Sequence, residues 1–299
     1  MNGITLRWFG QAAAGRIEPG SAVWRLRRDW QAVISLALIV GLCFSTLFAS
    51  FLTPYAAQGQ GEPNPVEKLA PPSLAHPFGA DHLGRDLLAR VLYGGRVSLS
   101  IALIVVALVV LIGVSLGALA GYFGGWADEV IMRLTDVFLA FPPLLLAIAI
   151  AAALGPGLTN AAVAIALTWW PWYTRLVRAQ ALSLRQRPFV EAAQVMGVNN
   201  FVIILRHILP NTLSPVLVQA TLDIGSAILT GAALSFLGLG VPPPTADWGQ
   251  MVNAGRIYFP DRWWYVTFPG LAIFIATLAF NLLGDSLRDA LDPRAHATP

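Results

Sequence analysis

The chain has 299 residues, of which 56% are hydrophobic and only 12% charged, with 19 Lys and Arg against 16 Asp and Glu and a mean hydropathy of +0.65. Soluble domains carry about a quarter of their residues charged, so a water-soluble enzyme of this size is excluded, and disorder is excluded by the same hydrophobicity. Cys43 is the sole cysteine, which removes a disulfide framework and leaves a polytopic membrane protein.

In chain order, residues 1–30 form an N-terminal segment with five arginines, Trp24 and Trp30, readable either as an amphipathic helix along the inner leaflet or as a positive anchor. A bilayer span takes about 20 mostly apolar residues. Residues 31–53 supply the first, ending at Thr53-Pro54, and five more apolar stretches follow, so it reads as an uncleaved span and not as a signal peptide. Residues 54–96 form a polar loop. A second span is densest within residues 97–127. The uncharged stretch from Val137 to Thr174 is too long for one helix, and Gly155-Pro156-Gly157 divides it into spans three and four. Span five runs from about Leu213 to Leu237 and span six from about Tyr265 to Leu283, with a tail at 288–299. The expectation is an all-α membrane protein of six transmembrane helices, with spans two to six forming a core at 97–287. Continuous apolar runs are incompatible with a barrel, whose strands alternate.

Six crossings put both termini on one side. That side carries thirteen basic residues, including Arg25, Arg27, Arg28, Arg133, Arg175, Arg178 and Arg185, and the other side six, Lys68, Arg85, Arg90, Arg96, Arg256 and Arg262. Both termini are therefore expected in the cytoplasm.

The internal stretch 185–211, RQRPFVEAAQVMGVNNFVIILRHILPN, carries the most information. Pro188 suits a first helical turn and Glu191 complements the helix dipole there. Ala192 and Ala193 leave a face without bulk, and Gly197 permits the left-handed residue that ends a helix. Asn199 caps a second helix, which Pro210 is expected to break before span five. An interfacial helix lying on lipid headgroups fits the apolar second half but not the small-residue first half with its Glu.

Glu191-Ala192-Ala193, then Gly197 and Leu209-Pro210, resemble the EAA loop of the membrane subunits of bacterial ABC importers. Residues 76–100, 121–142, 238–251 and 263–293 are similar to the C-type subunit of the dipeptide and oligopeptide permease branch, from about Gln31 to Pro293. Ala80 and Ala89 stand where that family usually has Thr and often Ser. The resemblance implies a type I ABC importer permease fold in the bacterial inner membrane and a loop at 185–211 that docks into an ATPase. It also implies a second homologous permease subunit, two cytoplasmic ATPase subunits that bind ATP and Mg, an external solute-binding protein, and dipeptides or oligopeptides as substrate. Nickel, glutathione and opine-like solutes are alternatives within the same machinery, as is a stand-alone secondary transporter outside it. Surrounding lipid is expected, and a nucleic-acid partner is not.

The remaining candidates are few. Asp223 is the acidic residue inside span five, and an intramembrane carboxylate is a pathway candidate by default; a pairing with Asn, Ser or Thr on a neighbouring helix is the structural alternative. Gly113-Val-Ser-Leu-Gly117 matches a nucleophile elbow but lacks the strand–turn–helix context. Gly113, Gly117 and Gly121 at four-residue spacing instead read as a helix-packing face. Asp81, His82 and Asp86 could suggest a metal site, but the two carboxylates read as paired with Arg85 and Arg90 in an external loop, with no metal expected. Lys68 is the sole lysine and no P-loop surrounds it, so no catalytic residue and no cofactor is expected in this chain.

Overall fold

A computed structural model describes residues 22–291. Its helices in chain order are α1 (Ala22–Arg28), α2 (Trp30–Leu47), α3 (Ala49–Leu52), α4 (Ala56–Gln60), α5 (Leu87–Phe123), α6 (Gly125–Leu139), α7 (Pro143–Leu154), α8 (Leu158–Arg185), α9 (Pro188–Val195), α10 (Asn200–Ile203), α11 (Leu209–Phe236), α12 (Trp248–Gly255) and α13 (Trp264–Leu291). Among the described residues no strand occurs beyond an isolated bridge between Ala80 and Asp86. Most of the N-terminal segment and of the tail at 288–299 lies outside the described residues.

Four helical stretches are long and apolar enough to cross a membrane, Trp30–Leu47, Leu87–Phe123, Asn200–Phe236 and Trp264–Leu291. A fifth arises if α6 and α7, bent by 89° at their junction, count as one. A straight third span between Val137 and Gly155 is therefore corrected. Pro142 sits extended at φ −58°, ψ 123° and breaks the helix, leaving α7 with 12 residues, about 18 Å and too short to cross alone. The helix of 28 residues that follows, α8, is long enough but contains Arg175, Arg178 and Arg185.

Two further boundaries differ from the hydropathy reading. The second span begins at Leu87, not Val97, because Asp86 caps it by accepting from the Ala89 amide at 2.7 Å, which puts Arg90 and Arg96 on the helix. Pro210 does not break the chain. Asn200–Phe236 is continuous, and Ile204–Ile208 forms a wider π turn just ahead of the proline. Proline lacks the amide for an i→i−4 bond and crowds the carbonyl four residues back; the π turn absorbs both defects.

The core forms where α5, α8, α11 and α13 meet. Small and branched residues fill it, among them Ala102, Val105, Val109, Ala161, Ile165, Val177, Ile228 and Ala276. At the centre of the α5–α8 contact, an added Cβ at Gly113, Gly117 and Gly121 would meet backbone or Cβ atoms of α8. The nearest include Trp170 O at 2.8 Å, Thr174 O at 2.5 Å and Ala181 Cβ at 2.6 Å, respectively. The two backbones touch at three successive turns, a spacing that tolerates no side chain. On the outside, α2 exposes Val33, Leu36, Val40, Phe44 and Leu47, an apolar face suited to lipid and not to water.

Candidate functional site

Short helix α9 stands out at the end of the bundle where α5 finishes. Pro188 occupies its first turn and Glu191 lies in that turn near the positive end of the dipole. At its other end the Gly197 amide donates to Gln194 O (3.0 Å) and the Val198 amide to Ala193 O (3.1 Å), with Gly197 at φ +75°. This is a Schellman close, which glycine adopts without a Cβ penalty. Asn199 then caps α10, its side chain accepting from the Phe201 amide at 2.9 Å.

Consecutive helical residues differ by about 100° in direction, and that corrects the reading of the alanine pair as one bulk-free face. Ala193 and Val190 are buried, packed on the core, whereas Glu191 and Ala192 are exposed. The outward surface continues through Val195 and Met196, 88% and 75% exposed, with Phe201 and Leu205 also uncovered on the next helix.

A buried side chain holds this loop to the bundle. The Tyr122 hydroxyl, on the last turn of α5, donates to Asn200 Oδ1 at 2.8 Å and accepts from Gln194 Nε2 at 3.2 Å. Beside it α6 is tied to α8 by Arg178, whose Nη2 lies 2.6 Å from Asp128 Oδ2 and whose Nε also pairs with that carboxylate, and by an ion pair between Arg175 and Asp136. Sequence reasoning missed these links because the partners stand 39 to 78 residues apart, with no local pattern to announce them.

Asp223, on α11, lines a cavity of about 510 Å³ with Trp169, Trp172, Arg175, Gln219 and Ser226. Gln219 Nε2 donates to Asp223 Oδ1 at 3.0 Å, one helical turn away. The partner lies on the same helix and is a glutamine, not the Asn, Ser or Thr of a neighbouring helix that was the structural alternative.

The opposite end of the bundle is built from the segment 61–86 and the loop after α11. Asp81 Oδ2 accepts from Arg85 Nε at 2.7 Å and its Oδ1 from the Leu83 and Arg85 amides. Asp86 pairs with His76 Nδ1 at 2.8 Å, not with Arg90, because as helix cap it faces the preceding loop. Arg90 instead reaches the carbonyl of Pro244 at 2.7 Å. His82 Nδ1 lies 2.6 Å from the Tyr265 hydroxyl, and burial holds the imidazole below its usual pKa although Asp81 opposes this. Asp247, capping α12 through the Gln250 amide, is pushed above the usual carboxylate range by burial. Among the described residues, no three His, Cys, Asp or Glu side chains stand close enough to hold a metal.

A bundle of long apolar helices with a proline-initiated and glycine-closed loop at one end defines a polytopic membrane protein. Residues 113–297 match the family described as binding-protein-dependent transport system inner membrane component, and residues 20–72 match the N-terminal TM domain of oligopeptide transport permease C. The chain belongs to the first of these families, within its dipeptide and oligopeptide permease branch, and is a multi-pass protein of the bacterial inner membrane. A probable D,D-dipeptide transport system permease protein of Escherichia coli is 47% identical over 94% of this chain and 93% of its own. A dipeptide transport system permease protein of Alkalihalophilus pseudofirmus is 45% identical over 90% and 88%. A glutathione transport system permease protein of Pectobacterium atrosepticum is 44% identical over 92% and 91%. Among solved structures, a chain of the MetNI methionine ABC transporter in inward-facing form superposes with a TM-score of 0.54 at 18% identity, over 68% of this chain and 96% of that one, which shows a shared fold.

Proposed function

We propose that this chain is one of two homologous permease subunits of an ATP-driven importer for dipeptides and short oligopeptides. Two cytoplasmic ATPase subunits bind ATP and Mg, an external solute-binding protein delivers the substrate, and this chain holds no cofactor or catalytic residue of its own. The substrate class is supported by relatives named for D,D-dipeptide, dipeptide and glutathione transport, all short peptides or close to them. The chain crosses the membrane six times, with α8 and the bent α6–α7 pair as two of the crossings. Both termini and α9 lie in the cytoplasm, on the side with the basic excess.

The single observation that carries the coupling role is the exposed surface Glu191, Ala192, Val195 and Met196, presented on a helix whose inner face is fixed to the core. Large apolar side chains this exposed, outside any span, call for a protein cleft to cover them. Closure of the ATPases displaces α9, and α10 with α11 carries that displacement to the wall of the Asp223 cavity. Two states of one packed element biased at two sites is what lets ATP drive a gate. In the cavity that Asp223 lines together with Trp169 and Trp172, a peptide ammonium group is suited by the carboxylate and the aromatic side chains.

Glu191→Lys and Gly197→Asp, each in the full complex, are expected to abolish uptake while membrane insertion stays at the wild-type level. Uptake at the wild-type rate in both variants overturns the coupling role.

A further inference from the structure

We infer that the cavity at the far end of the bundle, between the start of α5, the loop after α11, α12 and the start of α13, is a binding site for the carboxylate of a small organic substrate. It has a volume of about 400 Å³ and is lined by His82, Arg85, Arg90, Gln250, Asn253 and Tyr265, with apolar surface from Pro242, Pro243 and Met251. A volume of a few hundred Å³ with apolar walls and a few convergent polar groups fits a small molecule and not a protein segment.

Charge decides which chemistry. Arg85 is neutralised by Asp81 at 2.7 Å. Arg90 is only 2% exposed, and among the described residues no carboxylate stands within ion-pairing distance of it. Its Nη1 bonds to Pro244 O at 2.7 Å, while its Nε is buried and has no partner. A guanidinium offers five donors in a planar fork that matches a carboxylate edge, and a buried, uncompensated cation is costly until an anion meets it. A single uncompensated positive charge suits a monoanion. A phosphate dianion would demand a second, and His82 is held neutral by its burial. The amides of Gln250 and Asn253 supply further neutral donors, and the prolines and Met251 accept the apolar part attached to the carboxyl group.

The ligand's identity as the C-terminal carboxylate of a short peptide rests on the function proposed above; the carboxylate chemistry of the cavity does not. The test uses the complete permease–ATPase complex in lipid nanodiscs without the binding protein. It is titrated calorimetrically with alanyl-alanine and with alanyl-alanine amide, which lacks the carboxylate. Wild type is expected to bind the free acid roughly tenfold or more tightly than the amide. Arg90→Gln and Asn253→Asp are each expected to erase that ratio. Arg90→Gln also loses the bond to Pro244, whereas Asn253→Asp leaves it intact and sets a fixed carboxylate in the same cavity. Equal affinities in wild type, or no binding of either probe, overturn the site, and if that preparation still imports the dipeptide with binding protein and ATP, the transport reading survives. A carboxylate preference in a complex that imports no peptide keeps the site and removes the peptide reading. If Asn253→Asp weakens docking of the ligand-free binding protein but leaves the acid-to-amide ratio unchanged, the occupant is an acidic side chain of that partner, and the inference falls.

Discussion

The two ends of the bundle are finished in opposite ways. Around the start of α5, charged groups are turned inward: Asp81, Arg85, Asp86 and Arg90 are all buried, and three of the four meet hydrogen-bond partners in the same loop segment or helix start. Around the end of α5 the ions lie nearer the surface, as with Arg175 and Asp136, while large apolar residues such as Val195 and Met196 point outward. Buried polar groups without partners are costly, and at the first end Asp81, Arg85 and Asp86 are met from within their own segment, leaving Arg90 as the charge without a carboxylate. The second leaves large apolar side chains uncovered, the surface to which the proposed coupling role is assigned. The glycine seam between α5 and α8 joins the two ends and serves neither alone.

Three measurements put this contrast under stress. The largest effect is expected at the seam itself. Gly117→Ile places a side chain where a Cβ alone already lies 2.5 Å from Thr174 O, and backbone cannot retreat as a side-chain tip can. We expect a cost of about 3 kcal/mol or more and loss of the folded chain from the membrane fraction. Normal accumulation and an unchanged melting temperature would show that the two helices separate freely.

A smaller and local effect is expected at the closed end. Asp86→Ala removes both the helix cap on the Ala89 amide and the partner of buried His76, a loss of about 2–3 kcal/mol. Limited proteolysis should then cut within residues 61–86 while α9 keeps its wild-type susceptibility. Cleavage at α9 instead would mean that the two ends are not independent.

The smallest effect is a pH dependence. His82 is depressed below 6.5 in the folded chain, so the unfolded chain binds the extra proton first as the medium is acidified. The stability this group contributes is intact above pH 6.5 and is lost as pH falls from there towards its folded value. Melting temperature measured at pH 7.5 and 5.5 should drop on acidification in wild type, and the drop should be smaller in His82→Gln. An equal drop in both removes the role of this imidazole.

How far the sequence revealed this arrangement depends on the range of each interaction. Local chemistry was legible. Pro188, Glu191 and Gly197 announce the start and close of α9, and Gly155-Pro156-Gly157 marks the gap between α7 and α8, because each acts within one turn of chain. Hydropathy placed the apolar stretches but not their ends, since Asp86 and the residues after it belong to a helix that begins before the apolar run does. Pro210 misled because the π turn that accommodates it has no sequence signature. The alanine pair misled because burial is decided by direction around a helix and not by residue type. The Tyr122 and Arg178 anchors and the charge balance at Arg90 arise only when distant segments meet, and no spacing encodes them.

The unbroken run from Asn200 to Phe236 carries a mechanical consequence. Thirty-seven residues form one helical lever about 55 Å long, unbroken at Pro210 although the π turn and Pro215 lie within it. Pivoting such a lever by roughly 5° about its far end sweeps the tip beside α9 through about 5 Å, close to the pitch of one helical turn. Asp223 stands on the same shaft, so its carboxylate and the tip beside α9 are joined by continuous helix.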